Sequence, residues 1–204
     1  MRRIRIAKLS LVFVCFLFPL NNILANNALA SPVQDQLKIT IDNMLEVLRD
    51  PSFKGEENKE KRRESLRIII HERFSFAKMS QLSLARHWKK RSDEEKKAFI
   101  EMFGQLLEET YVSKIEAYTD EKVVYVKEYV KKKKAQIYTK IITDTVEIPI
   151  DYRMYKSKDE NWLVYDLVIE GVSLVGNYRS QFDQILKKDS YETLIETLKK
   201  KLNN

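Results

Sequence analysis

Side chains able to do acid–base or nucleophilic work are few in this chain and poorly grouped. The two histidines, His71 and His87, lie among charged residues in stretches of helical pattern, where a surface position is the ordinary fate of histidine. The single cysteine, Cys15, falls inside an apolar run near the start. There is no His-Glu-x-x-His pair, no phosphate-cradling glycine loop and no Gly-x-Ser-x-Gly elbow. Asp166 is the most unusual polar residue, set among Val164, Tyr165, Leu167 and Val168. A carboxyl buried there has two readings. Desolvation can raise its pKa and make it a general base, or it can accept hydrogen bonds and anchor the sheet, which is the commoner role. Arg153 and Arg179 have the chemistry to neighbour a phosphate, although a surface ion pair is the commoner role for each. What the chain has in abundance is aromatic and apolar surface. Tyr111, Tyr118, Tyr138, Tyr152, Tyr165 and Tyr178 all fall in regular elements. Tyrosine joins an apolar body to a polar tip, which suits a boundary between apolar surface and water.

The elements that must position these residues begin after a basic, then apolar, leader. Arg2, Arg3, Arg5 and Lys8 precede the uncharged run Leu9–Leu20, and Ala28-Leu29-Ala30 follows as a small-x-small cleavage site. This order is that of a secretory signal peptide over residues 1–30, cut after Ala30. The run is too short for a membrane span, which needs about 20 apolar residues. Residues 31–204 number 174, enough for one domain with a sizeable core, and contain no cysteine. That excludes a disulfide framework and cysteine-ligated metal in the exported chain. The leader carries four of the formal +7 charges, so the remainder is only mildly basic, at +3, which argues against a nucleic-acid partner.

Ser31-Pro32 reads as a helix start, with Val33, Leu37, Ile41, Leu45 and Leu48 on one face and Asp50-Pro51 as the stop. Ser52–Asn58 is a polar loop. Lys59–Arg73 is a second, highly charged helix that turns apolar at Leu66, Ile69 and Ile70. Phe74-Ser75-Phe76 opens a third, carrying Met79, Leu82 and Trp88. Ser92-Asp93-Glu94-Glu95 is a capping box, and it starts the longest helix. Phe99, Phe103, Leu107, Tyr111 and Ile115 recur every four residues along it. After Thr119-Asp120 the period changes to alternation: strands are expected at Lys122–Lys127, Ala135–Thr143, Val146–Tyr155 and Asn161–Glu170. Their short links favour antiparallel hairpins. Lys131–Lys134 reads as a soluble hairpin tip. Ser173 starts a helix with Leu174, Tyr178, Phe182 and Leu186 on one face, and Ser190 caps a last one. The fold class is therefore α+β: a four-stranded antiparallel sheet packed against several helices, with room for an apolar cavity between them.

The stretch Trp162–Leu186 carries a resemblance. Tyr165-Asp166, then Ile169-Glu170-Gly171-Val172-Ser173-Leu174, then Asn177-Tyr178-Arg179-Ser180-Gln181-Phe182, resembles the signature of the toluene-tolerance family, the periplasmic phospholipid-binding proteins of the Mla lipid-transport pathway of Gram-negative bacteria. Phe74-Ser75-Phe76-Ala77-Lys78-Met79 is similar to that family's Phe-Asp-Phe-x-x-Met, with Ser75 for aspartate. Leu84-Ala85-Arg86-His87-Trp88 is similar to its Leu-Gly-x-x-Trp, with Ala85 for glycine. In a helix alanine is the easier residue, so no loss of fold is expected there. The resemblance runs from Phe74 to about Leu198.

This resemblance implies a periplasmic carrier that shuttles phospholipid between an inner-membrane ABC transporter with a lipid-binding ring subunit and an outer-membrane lipoprotein–porin complex, so maintaining outer-membrane lipid asymmetry. It implies no reaction and no cofactor or metal, only a transported lipid. It also places a cavity between sheet and helices. The residues expected on its wall are Phe99, Phe103, Leu107, Tyr111 and Ile115 of the long helix, Ile150 and Tyr152 of the third strand, Ile169 of the fourth, and Val172, Leu174, Tyr178 and Phe182 at and after the corner. Two rivals remain at this level: a small-molecule enzyme of a cone-shaped α+β fold using Asp166 as base, and an envelope adaptor with a solid core.

Overall fold

A computed structural model describes residues 31–118 and 121–203. The predicted leader and its cleavage site lie outside the described residues. Helix boundaries follow the caps. Ser31 Oγ accepts the Gln34 N–H and Pro32 occupies the first turn of α1, Pro32–Arg49. Pro51 forces the preceding Asp50 into an extended conformation, which ends the helix. Two short 3-10 turns, Pro51–Phe53 and Glu56–Asn58, cross the polar loop to α2, Lys59–Arg73. Ser75 caps α3, Phe76–Leu84, by accepting from the Lys78 N–H. The expected capping box opens α4, Asp93–Glu116: Ser92 Oγ accepts the Glu95 N–H at 3.1 Å and Glu95 Oε2 accepts the Ser92 N–H at 2.8 Å.

One position between α3 and α4 departs from expectation. Ala85 is not helical: its backbone lies at φ 47°, ψ −117°. That region is open to glycine and costly for a residue with a Cβ. The chain then runs through a 3-10 segment, Ala85–Lys90. The glycine expected from the family pattern thus has a steric reason, and alanine here is strained rather than eased.

The sheet is β1 Lys122–Lys131, β2 Lys134–Ile142, β3 Glu147–Lys156, β4 Trp162–Ile169 and β5 Val172–Ser173, antiparallel throughout and in sequence order. The fifth strand, absent from the sequence expectation, is a two-residue return made by Glu170 and Gly171, both at positive φ. Two such residues in succession close a tight hairpin. Ser173 then caps α5, Leu174–Lys188, and Ser190 caps α6, Tyr191–Leu202.

The apolar side chains gather into two separate cores. In one, α1 lies on the inner face of the sheet: Val33, Leu37 and Ile41 pack with Ile137, Met154, Trp162 and Val164. In the other, α3, α4, α5 and α6 pack on each other through Met79, Leu84, Phe99, Phe103, Tyr178, Phe182, Leu194 and Leu198. Phe74 and Leu167 touch both clusters. The cores meet at these two residues and diverge beyond them.

Candidate functional site

Where the two cores diverge there is a cavity of about 250 Å³. Phe74 and Leu167, which touch both cores, line it together with Phe76, Met79 and Leu174 of the helical core. One wall is the sheet, and register explains which residues face in. Ile150 pairs with Ile169 and Tyr152 with Leu167, so alternate residues of β3 and β4 present one apolar face. On β2 and β1 the corresponding positions are Ile141 and Val123, themselves paired. The opposite wall is Leu107, Tyr111 and Ile115 of α4, four residues apart on one helical face. Met44, Leu45 and Leu48 of α1, with Leu66 and Ile70 of α2, complete it.

Of the twelve residues expected on the wall, seven line this cavity: Leu107, Tyr111, Ile115, Ile150, Tyr152, Ile169 and Leu174. Phe99, Phe103, Tyr178 and Phe182 do not. They form an edge-to-face aromatic stack, with Phe103 5.0 Å from Tyr178 and 5.4 Å from Phe182 between ring centres, and belong to the solid helical core. Val172 is 60% exposed on the outside of the Glu170–Gly171 hairpin. The chain reverses before α5 begins, so the corner residue points away from the interior. The lining from α1 and α2 was missed, although the spacing of Ile41, Leu45 and Leu48, four and then three residues, already marked that face as apolar.

The charged lining forms a rim: Arg63 and Arg67 of α2, Glu108, Glu109 and Lys114 of α4, and Glu121. Glu116 accepts from Arg62 at 2.8 Å and from Arg63 at 3.0 Å; Glu108 accepts from Arg67 at 3.0 Å and meets His71 at 2.6 Å. Burial alone would raise the Glu116 carboxyl, but hydrogen bonds from Arg63 and Arg62 hold it below its ordinary value. Hydrogen bonding to the carboxylates likewise raises Arg63 and Arg67. Within the cavity, burial pushes the Tyr152 phenol far above its usual value, and Tyr111 and Tyr118 rise for the same reason. These hydroxyls stay neutral at physiological pH.

Asp166 lies outside this site. Its neighbours in register, Tyr152 and Leu167, face the cavity, whereas Asp166 pairs with Arg153 on the opposite face. Its Oδ2 accepts from Arg153 at 2.9 Å and from Ser173 Oγ at 2.7 Å, and its Oδ1 accepts the Val175 N–H at 3.0 Å. A carboxylate with three donors, one of them in the first turn of α5, is a brace between strand and helix. His87 bonds Asp183 at 2.9 Å in a surface cluster with Arg86 and Lys187. Hydrogen bonds from Lys187 and His87 hold the Asp183 carboxyl far below its usual range. Arg179 is exposed and has no ion-pair partner among the described residues. No group of histidine, cysteine, aspartate and glutamate among the described residues is placed to hold a metal ion. No described helix is long and apolar enough to cross a membrane.

Comparison with known proteins agrees with this geometry. A solved structure of a phospholipid-binding protein from Ralstonia solanacearum, determined in complex with a phospholipid, superposes with a TM-score of 0.77. It is 22% identical, with 85% of this chain and 98% of that one covered, and so establishes a shared fold. No curated protein sequence matches the chain. The family model described as MlaC protein matches residues 38–200, from within α1 to within α6, with every helix and strand between them. The chain belongs to the MlaC protein family.

Proposed function

We propose that this protein is a periplasmic phospholipid carrier that holds acyl chains in the cavity between its two cores. The observation that carries this reading is the distribution of polarity: an apolar lining drawn from α1, α2, α4 and the sheet, with charge only at one rim. An amphiphile fits that pattern tail-first, with its headgroup left at the rim. Each buried CH₂ is stabilised by roughly 0.8 kcal/mol, so a diacyl lipid with about 30 of them costs roughly 24 kcal/mol to expose to water. Free transit between membranes is negligible on that scale, and a protein that buries tail methylenes lowers the cost in proportion to the number it covers. The residues proposed to touch the tails are Leu107, Tyr111, Ile115, Ile150, Tyr152, Ile169 and Leu174.

In this proposal the partners are the family's: an inner-membrane ABC transporter with a lipid-binding ring subunit on one side, and an outer-membrane lipoprotein–porin complex on the other. Membership of the family and the phospholipid bound by the Ralstonia neighbour support the lipid class. The basic-apolar-small order of residues 1–30 supports export with cleavage after Ala30, and N-terminal sequencing of the exported protein is expected to begin at Ser31. The experiment for the carrier role is organic extraction and phosphate assay of protein purified without detergent. Phospholipid phosphorus in stoichiometric amount is expected; protein that is phosphorus-free and takes up none from vesicles would refute the carrier.

A further inference from the structure

Helices that flank a cavity ordinarily close against each other through interlocked apolar side chains. α2 and α4 do not. Their backbones make no extended close approach, and the seam between them is spanned by long charged side chains. The charges that bridge the two helices are sorted between them. The bases Arg62, Arg63, Arg67 and His71 are all on α2, and the acids Glu108 and Glu116, two turns apart, are both on α4. Arg63, Arg67 and Glu108 also line the cavity, so this ladder is the rim itself.

Physics favours such a seam wherever a passage must open in water. Parting an apolar seam exposes hydrocarbon to water. Parting an ionic one exposes groups that water solvates well, and partly exposed ion pairs are individually worth little. We propose that the α2–α4 seam is the portal through which acyl chains slide in and out while the headgroup stays outside, and that Glu108 and Glu116 latch it. Glu116 is the better placed for a test of the latch. It binds two arginines and does not itself line the cavity. This inference rests on the carrier reading above.

The assay is transfer of a phospholipid with a fluorescent acyl chain from loaded protein to acceptor vesicles of phosphatidylcholine and phosphatidylglycerol. Glu116→Gln keeps the side-chain shape and removes the charge. Loss of two partly exposed pairs is expected to speed both uptake and release about fivefold, with lipid phosphorus per protein at equilibrium unchanged. A merely structural role would instead lower the equilibrium load. The parent's rate is expected to rise with added salt more steeply than that of the variant. The second arm places cysteines at Arg67→Cys and Glu108→Cys in a Cys15→Ser chain. A short bismaleimide bridging them is expected to cut transfer at least tenfold, while a monofunctional maleimide leaves it running. A bridged protein that transfers at the unbridged rate would overturn the portal, and a Glu116→Gln protein that transfers no faster would overturn the latch. A parent that never takes up phospholipid would instead sink the carrier reading, and the portal with it.

Discussion

Replacing Ala85 with glycine should stabilise this protein, and the sign of the effect discriminates two views of the residue. Ala85 lies between α3 and the 3-10 segment at φ 47°, ψ −117°. A non-glycine residue held in such a region costs about 1–3 kcal/mol. Glycine relieves that cost but widens the unfolded ensemble, which takes back about 0.4–1 kcal/mol. The net is about 1 kcal/mol of added stability, which for a domain of this size raises Tm by about 2–4 °C. Were Ala85 in a helix, as its neighbours suggest from sequence, glycine would cost about 1 kcal/mol and lower Tm by a similar amount. The assay is thermal unfolding followed by circular dichroism, on parent and Ala85→Gly proteins at matched lipid content. A lower Tm for the glycine variant would refute the reasoning. The site lies outside the cavity lining, so lipid content should not change.

Other consequences follow from the same contacts. Asp166→Ala leaves Arg153, Ser173 and the Val175 N–H without their acceptor and should cost about 2 kcal/mol in denaturant titrations, with the lipid load of the folded protein intact. Ile150→Glu puts a carboxylate on the cavity wall and should give a folded protein with little bound phospholipid, while Val172→Glu, on the exposed hairpin, should keep the parent's full load by phosphate assay. The Glu116 carboxyl is held below its ordinary value of 4.5 in the folded state, so its contribution to stability is fully present above that pH and lost as pH falls through the lower folded value. Melting temperatures should therefore fall less steeply below pH 4.5 for Glu116→Gln than for the parent.

Local rules made much of the architecture legible in the sequence. Serine caps at Ser31, Ser92 and Ser190 mark helix starts, and alternation marks β2, β3 and β4 to within a residue or two at each end. The cavity was legible only by half, for a physical reason. Periodicity tells which face of α4 is apolar, but not what opposes that face. The early part of the stripe, Phe99 and Phe103, meets Tyr178 and Phe182 and becomes solid core; the later part, Leu107, Tyr111 and Ile115, meets open space. Val172 was misplaced because two successive positive-φ residues turn the chain back on itself, whereas the sequence around Gly171 reads equally well as a strand-to-helix corner. The same return accounts for the fifth strand. Ala85 shows the converse: alanine suits a helix by propensity, and tertiary geometry puts a turn there instead.

Native mass spectrometry of the protein, purified without detergent, tests the central claim most directly. The account predicts a folded species heavier than the polypeptide by the mass of a phospholipid, which gentle collisional activation releases and lipid extraction identifies. A folded species at the bare polypeptide mass, as purified and again after incubation with phospholipid vesicles, would contradict it.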